Sequence, residues 1–283
     1  STGEWVGSQH SNPNLLDNWY FADPINQRGQ TEYKVSGYTI DRWRNENPSA
    51  NTVISITPNG LSFSGSWNSA GHYFSNILDI SPDFFYGKKL TGSLLVDGQL
   101  LSGSITVRQQ YGEWDADTFA GNDDVFFQFQ MTPIGKFRFI ILYKQTAVEN
   151  AVTLQAAKLE LGSVQTLAHQ DPDGKWILND APPNKALELA KCQRYYIPEK
   201  AEWTVGENVP GSGLILTIPS VLRTTPALVG MGNKVYSGSN WIEKQAIGVF
   251  QYPTYTQIMY GHDAAIITGP ILFERQPALD ADL

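Results

Sequence analysis

The densest set of chemically useful side chains in this sequence is a run of acids in one polar stretch: Glu113, Asp115, Asp117, Asp123 and Asp124. Two carboxylates facing each other at a suitable separation can hydrolyse a glycosidic bond. Carboxylate oxygens are also the ligands that calcium prefers, although the spacing here is not that of an EF-hand. We favour a solvated loop between strands. A calcium site formed by the four aspartates, a sugar-contacting loop and an acid/base pair remain as alternatives.

Aromatic residues in polar, glycine-containing surroundings form a second candidate group. The flat face of an aromatic ring can stack on the apolar C–H face of a sugar, while amides and carboxylates nearby bind the sugar hydroxyls. Any one such ring is more often part of a core. We assign Trp19 and Trp176 to packing. The candidates for ligand contact are Trp43, Trp67, Tyr73, Tyr111, Trp114, Trp241, Tyr252 and Tyr255.

Recognisable catalytic motifs are absent from the sequence. It has no G-x-S-x-G elbow, H-E-x-x-H pair, P-loop or G-x-G-x-x-G turn. The only neighbouring histidine and acid, His262 and Asp263, would point to opposite faces of a strand. The single cysteine, Cys192, cannot form a disulfide within the chain or a thiolate metal cluster. We therefore expect a protein that is not an enzyme and has no cofactor, apart from a structural calcium ion if the aspartates bind one.

Charge and hydropathy limit the partners. The 283 residues carry a formal net charge of -8, which repels polyanions, so we expect neither nucleic acid nor an anionic membrane as the main partner. The longest apolar run, Phe139–Tyr143, is far shorter than the roughly 20 residues of a membrane span. The sequence opens at Ser1 without a signal-peptide pattern, and we interpret residues 1–13 as a leader from a longer chain.

Alternating apolar and polar residues position these side chains on strands. In Val125–Met131 the residues Phe127 and Phe129 share one face with Val125, while Gln128 and Gln130 share the other. This alternation is typical of an antiparallel sheet with one dry and one wet face. Asn59-Gly60 and Asp97-Gly98 are predicted to be hairpin turns because both tolerate positive φ.

Short strands of this kind recur from Tyr38 to about Gln165 and predict an all-β fold. We expect an antiparallel β-sandwich or jelly roll over residues 14–168, with no helix between its strands. Residues 169–194 are predicted to be a linker with a short helix, Ala186–Gln193, capped by Asn184. Strand patterns then resume, which predicts a second, smaller β domain over residues 195–283.

Several segments, taken as a set, resemble tail proteins of bacteriophages and prophages of gut bacteria. The markers that carry the resemblance are Asn14–Gly29, Lys158–Gly162 with Thr166–Ala168, Leu189–Tyr196, Arg223–Pro226 and Ala281–Leu283. The resemblance implies a jelly roll like those of carbohydrate-binding modules, followed by a smaller β domain at the tail tip. It also implies a homotrimer that is assembled in the cytoplasm of the bacterial host and then carried on the virion tail.

Three functions follow as hypotheses. The leading one is adhesion, in which a receptor-binding tail protein recognises bacterial surface polysaccharide and binds other virion tail proteins. Weak single sites would suffice, because linked sites can raise avidity by about 10²–10⁴. The alternatives are a structural tail spacer without a glycan ligand and, as a minor one, a polysaccharide depolymerase.

Overall fold

The computed structural model describes most of the first 197 residues and a set of strands beyond them. In the first part the described residues are 11–48, 52–65, 72–78, 80, 82–108, 115–131, 136–143 and 148–197. In the second part they are 204–209, 213–218, 227–229, 234–237, 240–243, 246–251, 256–260, 271–273 and 278–280, where only the backbone is described. The chain divides into two compact units, Ser1–Glu188 and Leu189–Leu283.

The first unit is a β-sandwich, as the alternation predicts. Its strands are β1 (Glu32–Tyr33), β2 (Gly37–Tyr38), β3 (Trp43–Glu46), β4 (Val53–Thr57), β5 (Gly60–Gly65), β6 (Tyr73–Ile77), β7 (Lys89–Val96), β8 (Gln99–Thr106), β9 (Asp115–Gly121), β10 (Val125–Met131), β11 (Phe137–Tyr143), β12 (Val148–Leu161), β13 (Ala168–Gln170) and β14 (Trp176–Leu178). Its helices are α1 (Pro82–Phe85) and α2 (Lys185–Cys192), the second of which extends across the division between the units.

Two antiparallel six-stranded sheets form the sandwich. Sheet A has the order β1-β4-β5-β12-β7-β8, and sheet B has the order β2-β3-β6-β11-β10-β9. The chain passes from one sheet to the other repeatedly, as in a jelly roll. The one-turn helix α1 lies between β6 and β7, so the expectation of no helix among these strands is wrong.

The core is rich in phenylalanine because the inward positions of sheet B carry it. Phe127, Phe129, Phe137 and Phe139 are fully buried; Phe129 stacks on Phe137, and Phe127 packs against Phe139 with its ring tilted. Trp19 is buried in the same core, and Trp176 packs against it, which agrees with their assignment to packing. At about 25 cal/mol per Å² of buried apolar surface, these rings are a main source of stability for the unit.

A segment that is not itself a strand completes sheet A. Along β12, strand β5 pairs only with the first half, up to Leu154. Residues 14–21 run along the second half, where the Leu15 amide donates to the Leu159 carbonyl at 2.8 Å and the Ala157 amide to the Trp19 carbonyl at 3.1 Å. Asn14 Oδ1 also accepts from the Leu159 amide. Two of the segments behind the phage-tail resemblance, Asn14–Gly29 and Lys158–Gly162, are therefore neighbours in space.

The predicted turns and helix cap are confirmed. Asp97 and Gly98 both have positive φ, 46° and 73°, between β7 and β8. A turn at Asn59-Gly60 joins β4 to β5. Helix α2 begins one residue before the predicted position, and Asn184 Oδ1 accepts from the Ala186 and Leu187 amides at 3.0 and 3.2 Å. Asn184 is therefore the N-cap.

The second unit is also built from antiparallel strands. They are β15 (Tyr196–Ile197), β16 (Thr204–Val209), β17 (Gly213–Ile218), β18 (Ala227–Val229), β19 (Lys234–Ser237), β20 (Asn240–Glu243), β21 (Ala246–Gln251), β22 (Thr256–Tyr260), β23 (Ile271–Phe273) and β24 (Ala278–Asp280). They form a three-stranded sheet, β15-β24-β18, and a seven-stranded sheet, β20-β19-β23-β16-β17-β22-β21. Within the described part of the chain, neither helix has the length and apolar character that crossing a bilayer requires.

Candidate functional site

The solvent-side surface of sheet B carries polar and aromatic side chains side by side, and we call it the B face. It exists because residues on a strand alternate between faces. In β10 the residues at 125, 127, 129 and 131 are buried, and those between them are partly exposed. The B face comprises Tyr38, Arg44, Glu46, Tyr73, Ser75, Phe126, Gln128, Gln130, Arg138, Ile140 and Leu142, of which Ser75 and Ile140 are buried beneath their neighbours.

Strand registry aligns these side chains in rows across the sheet, because residues directly opposite in an antiparallel pair share a face. The central row crosses all six strands in the order Tyr38, Arg44, Ser75, Ile140, Gln128 and Thr118. A row towards one end holds Glu46, Tyr73, Leu142 and Phe126. A row towards the other end holds Ile77, Arg138 and Gln130.

A cluster of four side chains forms the floor of the B face. Glu46 Oε1 accepts from the Ser75 hydroxyl and from Arg138 Nη1, each at 2.7 Å. The Arg138 guanidinium also lies over the Tyr73 ring, 5.6 Å from its centroid. The Glu46 and Arg138 side chains are only 14% and 11% exposed. The salt bridge is therefore shielded from water, and it holds the Tyr73 ring between strands β3 and β11.

Arg44 lies beside this cluster and is bound differently. Its guanidinium and that of Arg28 both approach the Tyr38 ring, at 5.9 and 5.1 Å from the centroid. Arg28 forms an ion pair with the buried carboxylate of Asp41 at 3.1 Å. Arg44, in contrast, forms no ion pair with any carboxylate of the described chain. No contact with the residues that the structure describes therefore neutralises its positive charge.

Two polar atoms of the B face are buried without a hydrogen-bond partner in the described structure, Arg44 Nε and Gln130 Oε1. An unsatisfied buried polar atom costs about 1–3 kcal/mol. One atom is a donor and the other an acceptor. The strands that carry them, β3 and β10, are three strand spacings or about 14 Å apart. A ligand with several hydroxyl or acidic groups could satisfy both.

The chemistry that the B face offers is binding. Tyr38, Tyr73 and Phe126 supply aromatic surface, Gln128 and Gln130 supply amides, and the arginines supply donors. This combination suits a sugar, whose rings have apolar faces and polar edges.

The structure corrects one predicted ligand contact. Trp43 is fully buried: its ring stacks on Phe74 at 4.8 Å, and its Nε1 donates to the Asn18 carbonyl at 3.0 Å. It occupies an inward position of β3, where alternation places Arg44 and Glu46 outward. Trp43 is a core residue, and its neighbours on the strand face the solvent instead.

Of the remaining predicted aromatics, the structure locates one with its side chain. Tyr73 lies on the B face and is half-buried. Trp241 lies on β20, but its side chain is not described. The other five lie outside the described residues: Trp67, Tyr111, Trp114, Tyr252 and Tyr255.

The structure describes the backbone of all four aspartates of the predicted calcium site, but not the side chain of Asp115. Asp115 and Asp117 lie at the start of β9, and Asp123 and Asp124 lie in the turn after it. Asp117 and Asp123 are six residue steps apart along the chain, at most about 20 Å at 3.3 Å per residue. Among the residues that the structure describes, no group of three or more acids, histidines or cysteines could hold a metal ion. Glu113 lies outside those residues.

The predicted acidic loop is also partly a strand. Residues 115–121 form β9, the edge strand of sheet B. Aspartate, alanine and glycine have low β propensity, so pairing with β10 rather than local preference decides this strand. Asn122 then closes the turn by accepting from the Asp124 and Val125 amides at 2.9 and 2.8 Å.

Most of the B face is absent from the candidates that the sequence suggested. The alternation does place Gln128 and Gln130 on a wet face, but Arg44, Glu46 and Arg138 are ordinary strand residues in sequence. One sequence pattern could have predicted part of it, the strand segment Trp43-Arg-Asn-Glu46. If Trp43 is taken as a core residue, alternation places Arg44 and Glu46 on the outward face. Comparison with protein-family models, curated proteins and solved structures finds no significant match for the chain.

Proposed function

We propose that this chain is an adhesion protein of a bacteriophage tail, in which the B face binds a bacterial surface polysaccharide. The observation that carries the binding part of the proposal is the B face itself. It presents aromatic, amide and guanidinium side chains in aligned rows on a rigid sheet. The bacteriophage setting comes from the sequence resemblance alone.

A sheet face supports glycan binding for a physical reason. The backbone beneath is already ordered by strand pairing, so ligand binding restricts only the rotamers of the contacting side chains and does not have to order the backbone. A row that crosses six strands is longer than a single sugar ring, which suits a polymer that contacts several side chains in turn. Weak contacts at each sugar would add up, and assembly into a homotrimer would multiply them.

Glycan-array binding with purified protein tests the proposal. We expect binding to at least one bacterial polysaccharide, and loss of that binding in a Gln128→Ala/Gln130→Ala double variant. The control is Gln99→Ala, because Gln99 is exposed on sheet A. If no bacterial glycan or cell is bound, or if the double variant binds as well as the parent, the B face is not the receptor site.

Two further measurements complete the test. The mass in solution should be three times that of one chain if the protein is a homotrimer. New reducing ends on incubation with the bound polysaccharide would show an enzyme in place of a pure adhesin.

A further inference from the structure

Arg44 differs from the other arginines around the sandwich core because no carboxylate in the described part of the chain pairs with its guanidinium. Arg28, Arg42 and Arg138 pair with Asp41, Asp17 and Glu46 respectively. Arg44 is half-buried like Arg28 and Arg138, yet its only described side-chain contact is with the face of Tyr38. Removing a guanidinium from water without a partner is costly. A site of this kind is suited to a ligand that supplies the missing negative charge.

The identity of the unsatisfied nitrogen of Arg44 indicates which chemical class of ligand would bind. Nε is the buried, unsatisfied nitrogen. Nε and a terminal nitrogen form one edge of the planar guanidinium, and that edge matches the two oxygens of a carboxylate or phosphate. A neutral sugar hydroxyl would satisfy one N–H only. From this geometry we infer that Arg44 and Tyr38 form a subsite for an anionic group on the glycan. This inference rests on the proposed glycan-binding function.

The acidic character of the whole chain is compatible with this subsite. A net charge of -8 opposes a densely charged polyanion. Beyond about 8 Å, however, that repulsion is screened at physiological ionic strength. A direct contact between Arg44 and an anionic group acts at short range, so salt weakens it much less than the long-range repulsion. The ligand is therefore a polysaccharide with acidic groups at intervals, such as a uronic acid in a repeat unit or a phosphate between sugars.

The remaining B face then has a defined role next to the acidic group. Gln128 lies in the same row as Arg44. Gln130, with its unsatisfied Oε1, lies one row further. Neutral sugars on either side of the acidic one would contact these side chains, because the polymer crosses strands in the direction of the row.

Small anions allow the subsite to be tested without knowledge of the polysaccharide. The Nε–H signal of Arg44 is followed by NMR in ¹⁵N-arginine-labelled protein and assigned by its disappearance in Arg44→Gln. The probes are sodium glucuronate, sodium phosphate and neutral glucose in sodium chloride, at one ionic strength. We expect a saturable shift with glucuronate, phosphate or both, and no shift with glucose. A response to glucuronate alone indicates a uronic acid, and a response to phosphate alone indicates a phosphate-bearing polymer.

An exposed arginine provides the matched control. Arg108 lies just after β8, and Arg108→Gln removes the same charge as Arg44→Gln. Anion affinity, read from the amide signals of Gln128 and Gln130, should fall about tenfold or more in Arg44→Gln and stay unchanged in Arg108→Gln. The subsite is refuted if neither anion moves the Arg44 signal more than the Arg108 signal.

The two proposals fail in different ways. If the protein binds glycans on the array but neither anion shifts the Arg44 signal, the adhesion proposal is kept and the inference of an acidic ligand is refuted. If Arg44 binds anions but no glycan or bacterial cell is bound, the adhesion proposal is wrong and the anion subsite remains.

Discussion

Arg138 Nη1 donates to Glu46 Oε1 at 2.7 Å, although the two residues are 92 positions apart in sequence. They lie on β11 and β3, and β6 runs between these strands. The salt bridge therefore crosses a whole strand and encloses Ser75, which is fully buried beneath it. This contact connects the two halves of the B face.

A double-mutant cycle measures how much this salt bridge contributes. Glu46→Gln and Arg138→Gln should each lower the free energy of unfolding, and the coupling between them should be about 1–2 kcal/mol, because both side chains are largely shielded from water. Urea denaturation provides the values. The control is the exposed pair Glu32 and Lys34, which is joined at 2.9 Å but about half exposed on both sides. Its coupling should be about 0.3 kcal/mol or less, and equal couplings would contradict the argument from burial.

Aromatic truncation tests the B face as a glycan platform. Tyr73→Ala should weaken binding to the polysaccharide identified on the array by about tenfold, because a stacked ring contributes about 1.4 kcal/mol. Surface plasmon resonance measures the change. Tyr86→Ala is the control, because Tyr86 is 57% exposed and lies on the connection from α1 to β7 of sheet A. A loss in Tyr86→Ala with none in Tyr73→Ala would move the site to that end of the sandwich.

Asn18 is expected to be one of the most sensitive positions for stability. Its φ is positive, and its side-chain amide donates to the carbonyls of Ile25 and Asp41 at 2.8 and 2.7 Å. Its Oδ1 accepts from the Ile25 amide at 2.8 Å. Asn18→Ala leaves these buried backbone groups unsatisfied and should cost about 3 kcal/mol.

Thermal denaturation of Asn18→Ala and Asn18→Gly checks this and separates the two causes. Glycine tolerates the positive φ but restores no hydrogen bond. If Asn18→Gly recovers most of the loss, backbone strain and not hydrogen bonding is the reason for the asparagine.

Two turn glycines with positive φ should respond differently to alanine. A Cβ at Gly60 would lie 2.1 Å from the Leu154 carbonyl oxygen, whereas at Gly98 nothing lies within 4 Å. Gly98→Ala should therefore cost about 1 kcal/mol from φ alone. Gly60→Ala should cost at least about 2 kcal/mol more, because β12 must move. Urea denaturation of both variants tests this, and equal losses would show that the β4–β5 turn can shift away from β12.

His72 should make stability depend on pH. It is 7% exposed, and burial lowers its pKa below the ordinary 6.5, since the charged form is disfavoured inside the protein. Below pH 6.5 the unfolded chain binds a proton that the folded chain does not. Stability is therefore fully present above that pH and is lost as the pH falls towards the folded pKa. His72→Gln should flatten the pH dependence of the melting temperature in that window, and an unchanged slope would assign it to other groups.

Local sequence patterns were sufficient to predict many of the strands, turns and caps of the first unit. The alternation in Val125–Met131 predicted both the strand and its buried face, and Asp97-Gly98 and Asn184 predicted a turn and a helix cap that the structure confirms. Such features depend on side-chain periodicity and backbone preference within a few residues, which any short stretch of sequence displays.

The residues that form the B face could not be predicted from any short stretch of sequence. Trp43 was misassigned because a tryptophan in polar surroundings looks the same in sequence whether it faces the core or the solvent. β9 was missed because its residues form a strand only when β10 supplies the partner. The second half of β12 pairs with β7 on one edge, and residues 14–21, a segment without a strand pattern, lie along its other edge.

The sequence alone thus determined the fold class, the alternation that creates a wet face on each strand, and the local turns and cap. Only the tertiary structure decided which residues of sheet B meet. It aligned Tyr38, Arg44, Ser75, Ile140 and Gln128 in one row and gave Arg44 no carboxylate partner among the described residues. The physical reason is that strand registry and sheet order are set by packing of the whole core. Contacts between residues far apart in the chain follow from that packing and not from their neighbours in sequence.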